Sequence, residues 1–282
     1  MPIAPFFALC TAVILCYVSS VFEPKLGELQ VPGLMGSLFI IPFLTWTVRL
    51  APLVIFELVW RRSKTGKFEI YGNAYLLMVV YFAAGQIFGK CFSELMHGYR
   101  PPALVDLHFH GIFGYVGMSI LTLLTIDLLY YWIHRAQHAN TFLWKFHSKH
   151  HAIQDINSYN CFHHISEHVV DFVIGVFVSM FVFGFDGVPP FIAVYMGIVG
   201  QYNHARIDFF DFGKARLIFG DPKFHLSHHL NDKRFIGKNF GGFTAIYDVI
   251  FRTYQEPDQT AFTGPYGVDG MSNPSLLDIV KI

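Results

Sequence analysis

Long uncharged runs decide what this chain can become. Residues 3–22 carry no charge, and residues 111–132 carry one, Asp127. A helix crosses a bilayer with about 20 mostly apolar residues, and both runs reach that length. Residues 34–60 form another apolar stretch, interrupted by Pro42, Pro52 and Arg49, and residues 71–89 another. Two shorter stretches, 169–185 and 188–202, flank Asp186-Gly187 and read as a hairpin that dips into or barely crosses the bilayer. The first run has no basic residues before it and exceeds the about 7–15 apolar residues of a signal-peptide core, so it reads as a retained span. The expected fold is an all-α integral membrane protein: about four spanning helices, a short hairpin and a histidine-rich helical cap. Composition agrees, since only 14% of residues are charged against about 25% in soluble domains.

Charge sets the orientation. The stretch 61–67 carries four Lys/Arg and belongs in the cytoplasm by the positive-inside rule. Carrying the spans forward puts 134–168 and everything from His204 on the same face, and sixteen of the twenty Lys/Arg fall there. The balance of twenty basic against twenty acidic residues leaves no electrostatic footprint for nucleic acid. Cys10, Cys16, Cys91 and Cys161 show no Cys-x-x-Cys spacing, which argues against a disulfide framework. Three regions result: spans in 1–110, a chemical region in 111–257 and a tail in 258–282. The expected location is a multi-pass membrane protein, in the endoplasmic reticulum of a eukaryote or the inner membrane of a bacterium.

Histidine is the anomaly. Twelve of the fifteen lie between His134 and His229. His134 and His138 are spaced i, i+4. His147, His150 and His151 are spaced i, i+3, i+4, and so are His225, His228 and His229. Such spacings put the imidazoles on one helical face. His163, His164 and His204 lie between the repeated triplets. Neutral imidazole binds zinc, iron, copper and nickel, and one tetrahedral ion takes only about four ligands. About ten candidate nitrogens therefore suit two ions with four or five ligands each and open positions for water or dioxygen. All-nitrogen ligation with open positions suits redox-active iron better than closed structural zinc. A solvated face would carry Lys and Glu instead, and a storage tract would be contiguous without interleaved aromatics such as Trp144 and Phe224. His97, His108 and His110 stand alone and receive no metal role.

Asp127-Leu-Leu-Tyr-Tyr-Trp-Ile-His134-Arg-Ala-Gln-His138, then Leu143-Trp-Lys-Phe-His147-Ser-Lys-His150-His151, then His225-Leu-Ser-His228-His229 with Asn239-Phe-Gly and Tyr247-Asp248 beyond, resembles the fatty acid hydroxylase/sterol desaturase superfamily. The likeness covers about residues 115–257. It implies an integral-membrane non-haem diiron enzyme that uses dioxygen to oxidise a C–H bond of a lipid or sterol, by hydroxylation first and desaturation second. The family's His-Pro-x-Glu segment is replaced here by Phe162-His163-His164-Ile-Ser-Glu167-His168, without proline. His164 has the three-residue spacing to Glu167, whereas His163 fits a longer variant and is preferred. Nothing in the chain resembles a cytochrome b5 or flavin domain, so electrons come from a separate donor, such as cytochrome b5 or ferredoxin with its reductase.

Three further residues are candidates for holding ligand imidazoles in place. Asp127 lies seven residues before His134 on the same helical face, in an apolar run where a carboxylate is costly and therefore a functional candidate. Glu167 and Asn239 join it on the strength of the resemblance. The rival from another class is a membrane metal-binding or transport protein without catalysis. Transport calls for ionisable residues along several spans, whereas these histidines cluster beyond the spans.

Overall fold

The computed structural model describes residues 51–61, 111–184, 190–279 and 281, with isolated positions between 87 and 105. The expected spans 3–22 and 71–89, the Asp186-Gly187 turn, His97, His108 and His110 lie outside the described residues. Within them the chain is helical, and its only β feature is an isolated bridge between Leu230 and Tyr266.

The run that begins at residue 111 continues past Trp132 as one helix, α1, Gly111–Ala139. No proline or internal glycine pair interrupts it, and Thr122 and Thr125 return their hydroxyls to the carbonyls of Met118 and Leu121. Asn140 ends α1 and starts α2, Thr141–His151, by accepting from the Phe142 and Leu143 amides. A side chain that satisfies two orphan amides fixes a helix start, so α2 folds back with a one-residue joint. The chain then runs through an irregular segment to α3, Ile165–Val176, which continues as a π-helical turn, Phe177–Val182. Carbonyls released by that wider turn accept from Leu104 and Val105. Helix α4, Pro190–Asn203, returns toward the start of α3. Short helices α5, Pro222–His228, and α6, Ile246–Ile250, complete the cap. Asp221 caps α5 at the Phe224 amide, with Pro222 in its first turn.

Two helical stretches, Gly114–Ala139 and Ile165–Val182, are long and apolar enough to cross a membrane, with mean hydropathies of 1.6 and 1.8. Their outer faces expose Tyr115, Val116, Ile120, Val173 and Phe177, a surface that suits lipid. Their inner faces pack Met118, Ile126, Ile174 and Val178 against Val199 of α4 and Phe243 of the cap. A second core, Ile153, Ile156, Phe162, Leu226, Leu230, Phe235 and Phe262, binds the cap together. Truncating one such buried phenylalanine to alanine costs about 3–5 kcal/mol.

Residues 51–61 are helical and dock on the cap rather than standing free. Glu57 accepts from the Ser158 and Arg206 amides at 2.9 and 2.6 Å. Arg61, one turn on, pairs with Asp155 at 3.0 Å, and Arg206 reaches the same carboxylate at 2.9 Å. Arg61, read from sequence as part of a cytoplasmic basic stretch, is buried in an ion pair.

Candidate metal centre

Two helix ends and two triplets converge. α1 finishes with His134 and His138, α4 is followed directly by His204, and α2 and α5 bring the triplets. The nine imidazoles sort into two groups whose ligand atoms lie within 4.8 Å of one another. The first holds His134, His138, His147, His151 and His228; the second holds His150, His204, His225 and His229. Each triplet is divided between the groups. From α2, His147 and His151 enter the first and His150 the second; from α5, His225 and His229 enter the second and His228 the first.

Ring tautomers follow from what Nδ1 faces. Backbone carbonyls accept from His134 Nδ1 (Phe240, 2.7 Å), His150 Nδ1 (Phe162, 3.0 Å) and His228 Nδ1 (Lys238, 2.7 Å). The Gly200 carbonyl accepts from His204 Nδ1, and the Glu167 carboxylate accepts from His147 Nδ1 at 2.8 Å. A carbonyl cannot donate, so the first four of these rings carry hydrogen on Nδ1, as does His147 beside an ionised Glu167, and each presents a bare Nε2 lone pair. Those Nε2 atoms crowd together: His134 to His147 3.0 Å, His204 to His150 3.1 Å. Two lone pairs at that distance repel. A cation between them reverses the sign, and ligands about 2.1 Å from one ion stand about 3.0–3.4 Å apart. The buried Nε2 atoms of His138 and His228 have no hydrogen-bond partner among the described residues. The donor set therefore fits metal ions, one for each group.

Electrostatics agree. Burial, reinforced by neighbouring imidazoles, holds His147, His150, His151, His163, His225 and His229 well below the usual histidine value. Burial brings His204 and His228 down to about 4. Neutral imidazole is the form that ligates, so these rings are ready at neutral pH without displacing a proton.

The remaining candidates divide. His163 stacks on His150, with ring centroids 3.6 Å apart, beside the second group. His164 faces away: its Nδ1 caps α3 at the Ser166 amide and belongs to neither group. Glu167 touches the ligand His147, as above. Asn239 touches no imidazole. Its amide group donates to Ser227 and to the Gln255 carbonyl, and its oxygen accepts from the Gln255 amide. Its φ of 60° aims the flanking Lys238 and Phe240 carbonyls at His228 and His134. Asp127 departs from expectation. Its carboxylate accepts from the amides of Gly242, Phe243 and Thr244 and from the Thr244 hydroxyl, and so holds a loop rather than a ring. The loop needs glycine where it presses on α1: a Cβ on Gly242 would lie 2.8 Å from the Tyr130 ring.

Sequence reasoning missed Asp248 as a site residue. Buried completely, it accepts from the Phe240 and Gly241 amides at 2.8 and 2.7 Å and from the Thr253 hydroxyl at 2.6 Å. Thr253 accepts from Tyr131, which accepts from Arg135. This chain of bonds clamps the segment whose carbonyl holds His134. The available signal was a lone carboxylate among apolar neighbours, the same signal that singled out Asp127.

A cavity of about 400 Å3 opens beside the second group. His163, His204 and His225 form its ligand end, while Ile126, Phe172, Ile174, Met196, Val199 and Phe243 line the rest. It lies between α1, α3 and α4, the first two of which have the lipid-compatible outer faces.

Residues 119–253 match the fatty acid hydroxylase family. The human alkylglycerol monooxygenase is 27% identical over 147 residues, 50% of this chain and 31% of that protein. An ornithine lipid hydroxylase of Rhizobium tropici is 25% identical over 148 residues, 51% of this chain and 44% of that protein. A very-long-chain aldehyde decarbonylase of Oryza sativa is 28% identical over 142 residues, 45% of this chain and 22% of that protein. The chain spans less than half the length of these curated relatives. No solved structure matches it. The matched region, just under half of the chain, contains all nine converging histidines, Glu167, Asn239 and Asp248, and it is this region that is similar to the fatty acid hydroxylase family.

Proposed function

We propose that this chain is a membrane-bound oxygenase that hydroxylates a lipid, with two iron ions held by the two histidine groups and dioxygen as co-substrate. The observation that carries the reading is the pairing of two buried sets of bare imidazole nitrogens with an apolar cavity that ends on one of them. Bound iron would supply the redox chemistry that reduces dioxygen and oxidises a C–H bond. The protein supplies the rest. His204 and His225 face the cavity, so the lipid meets the second group, while the first lies behind it. The apolar wall holds the chain and excludes water, which keeps one carbon near the ligand end. Phe240, Lys238, Phe162, Gly200 and Glu167 fix ring orientation and tautomer.

Hydroxylation consumes dioxygen, two electrons and two protons, and releases one water per alcohol formed. The described cap holds no cysteine cluster for an iron–sulfur centre, and the sequence contains no dinucleotide fingerprint. In this reading a separate donor, cytochrome b5 or ferredoxin with its reductase, supplies the electrons and docks on the histidine-bearing face, which we assign to the cytoplasm. The preference for hydroxylation over desaturation rests on relatives named hydroxylase and monooxygenase. Metal analysis of purified protein, followed by mass spectrometry of lipids incubated with oxygen and the donor system, tests the reading. Two irons and a gain of one oxygen support it. Metal transport into vesicles without oxygen consumption would replace it with the binding-protein reading.

A further inference from the structure

The cavity wall is largely apolar; beside the histidines His163, His168, His204 and His225 and the buried Cys161 it carries Tyr130 from α1, Asp171 from α3, and Gln201 and Asn203 from α4, with Asn203 donating to the Gly242 carbonyl. Asp171 is the unexpected one. It sits within a helix long and apolar enough to span a membrane, where a carboxylate is costly and marks function. Asp127, Glu167 and Asp248 are each occupied by amides, hydroxyls or an imidazole. Asp171 differs. Among the described residues nothing donates a hydrogen bond to its carboxylate, and nothing bonds the Tyr130 hydroxyl. Both residues are half-buried and line the cavity, so a bound molecule reaches them from inside it.

Its position is also informative. The His168 ring lies 5.6 Å from His163, which stacks on the ligand His150. Asp171 follows one turn later on α3, about 4.5 Å further along the axis. A polar group on the substrate would therefore sit close to the ligand end of the cavity.

We propose that Asp171 and Tyr130 together receive a hydroxyl group of the lipid, so that the substrate is a hydroxyl-bearing lipid and not a free fatty acid or a bare hydrocarbon. This rests on the lipid-oxygenase reading of the cavity. A hydroxyl donates to the carboxylate and accepts from the tyrosine, which satisfies both. A fatty-acid carboxylate only accepts, so beside Asp171 it needs a shared proton, and two ionised carboxylates repel in a low-dielectric space. A hydrocarbon would leave Asp171 unpaired. An ammonium group has no lone pair for the Tyr130 hydroxyl.

The test is equilibrium binding to zinc-loaded full-length protein in lipid nanodiscs, since zinc has no redox chemistry. Radiolabelled probes of equal chain length are a 1,2-diol, a fatty acid, an alkane and an alkylamine. The wild type is expected to bind the diol about tenfold more tightly than the others, the size of one buried hydrogen bond to a charged group. Asp171→Leu should bind all four with the affinity of the alkane. Asp171→Asn, which is isosteric and covers the case in which the leucine variant fails to fold, should keep diol binding and admit the fatty acid. Tightest binding of the amine or the fatty acid by wild type, or an unchanged ranking in both variants, overturns the proposal. Turnover of the same panel by the iron-loaded protein separates the two readings. The ranking without product sinks the oxygenase reading and keeps the hydroxyl site, whereas product without the ranking sinks the hydroxyl site alone.

Discussion

Replacing Asn239 should empty one metal group before the other. The residue is fully buried with φ at 60°, and the two carbonyls beside it, Lys238 and Phe240, hold His228 and His134. Both rings belong to the first group. Asn239→Gly keeps the backbone conformation and loses three hydrogen bonds, to Ser227, the Gln255 carbonyl and the Gln255 amide. At about 1 kcal/mol each that is about 3 kcal/mol. Asn239→Ala loses the same bonds and adds the left-handed strain of a Cβ, about 1–2 kcal/mol, for a total of about 4–5 kcal/mol. Asn239→Asp is isosteric, but it turns a carboxylate oxygen toward the Gln255 carbonyl. An uncompensated buried charge costs about 3–5 kcal/mol. A domain stable by about 5–15 kcal/mol survives the glycine change, so its metal content can be measured. Chelator competition followed by elemental analysis should show the glycine variant falling toward one metal per chain, since misdirected ligand partners cost about 10–100-fold in affinity. Denaturant unfolding should rank glycine above alanine by the strain alone. Equal stability of the two variants would refute the conformational argument, and simultaneous loss of both metals would refute the assignment of Lys238 and Phe240 to one group.

Four other outcomes follow from the same geometry. Alanine at any of His134, His138, His147, His150, His151, His204, His225, His228 or His229 should abolish oxygen-dependent turnover, whereas His164→Ala should keep it and lose only a helix cap of about 1 kcal/mol, as product assays and thermal unfolding will show. Glu167→Gln retains an oxygen for the His147 Nδ1 hydrogen and should keep metal affinity within about tenfold, while Glu167→Leu strands that hydrogen and should lose about 10–100-fold, read by chelator competition. Asp127→Asn offers one acceptor oxygen where two each take a pair of donors, so unfolding stability should drop by about 3 kcal/mol with both metals retained. Metal-free protein should lose stability as pH falls from about 6.5 toward 4. His204 and His228 stay neutral when folded until about 4 but take up protons near 6.5 once unfolded, at about 1.4 kcal/mol per pH unit for each; thermal unfolding at pH 7.5 and 5.0 will show a smaller decline in the metal-loaded form.

The parts of this site that were legible in the sequence are those written as side chains at helical spacing. His134 and His138 lie one turn apart at the end of an apolar run, and the helix that carries them needed only Asn140 to stop it. The triplets announced themselves in the same way. The orienting partners did not, because four of them are backbone carbonyls and every residue owns one. Which carbonyl meets which imidazole depends on the path of the 238–244 loop, and that path is set by Asp248 from one side and Asp127 from the other. Asp127 shows why a charged residue in an apolar run is an ambiguous sign. The cost of burying it requires a partner, but amides from a loop more than a hundred residues away serve as well as an imidazole does. Glu57 repeats the point: it stands in a run read as a span, and its partners are the Ser158 and Arg206 amides.

Helical arithmetic explains why each triplet serves two groups when its spacing suggests one. At about 100° per residue, positions i and i+4 diverge by about 40°, while i+3 lies about 60° to the other side of i and about 100° from i+4. His147 and His151 can therefore aim at one point while His150, between them in sequence, turns to another. On α5 the same rule sends His225 and His229 together and His228 away. The two helices use the pattern in opposite senses: α2 gives two ligands to the first group and one to the second, and α5 gives one and two. Neither group can be assembled from a single helix, and neither helix can shift without disturbing both groups. The difference between them comes from the single contributions: α1 adds a pair to the first, and the residue after α4 adds one to the second. That leaves the second group with four histidines to the first group's five, and it is the four-histidine group that faces the cavity. The group with fewer protein ligands is thus the one with room for something else, and the substrate path ends there.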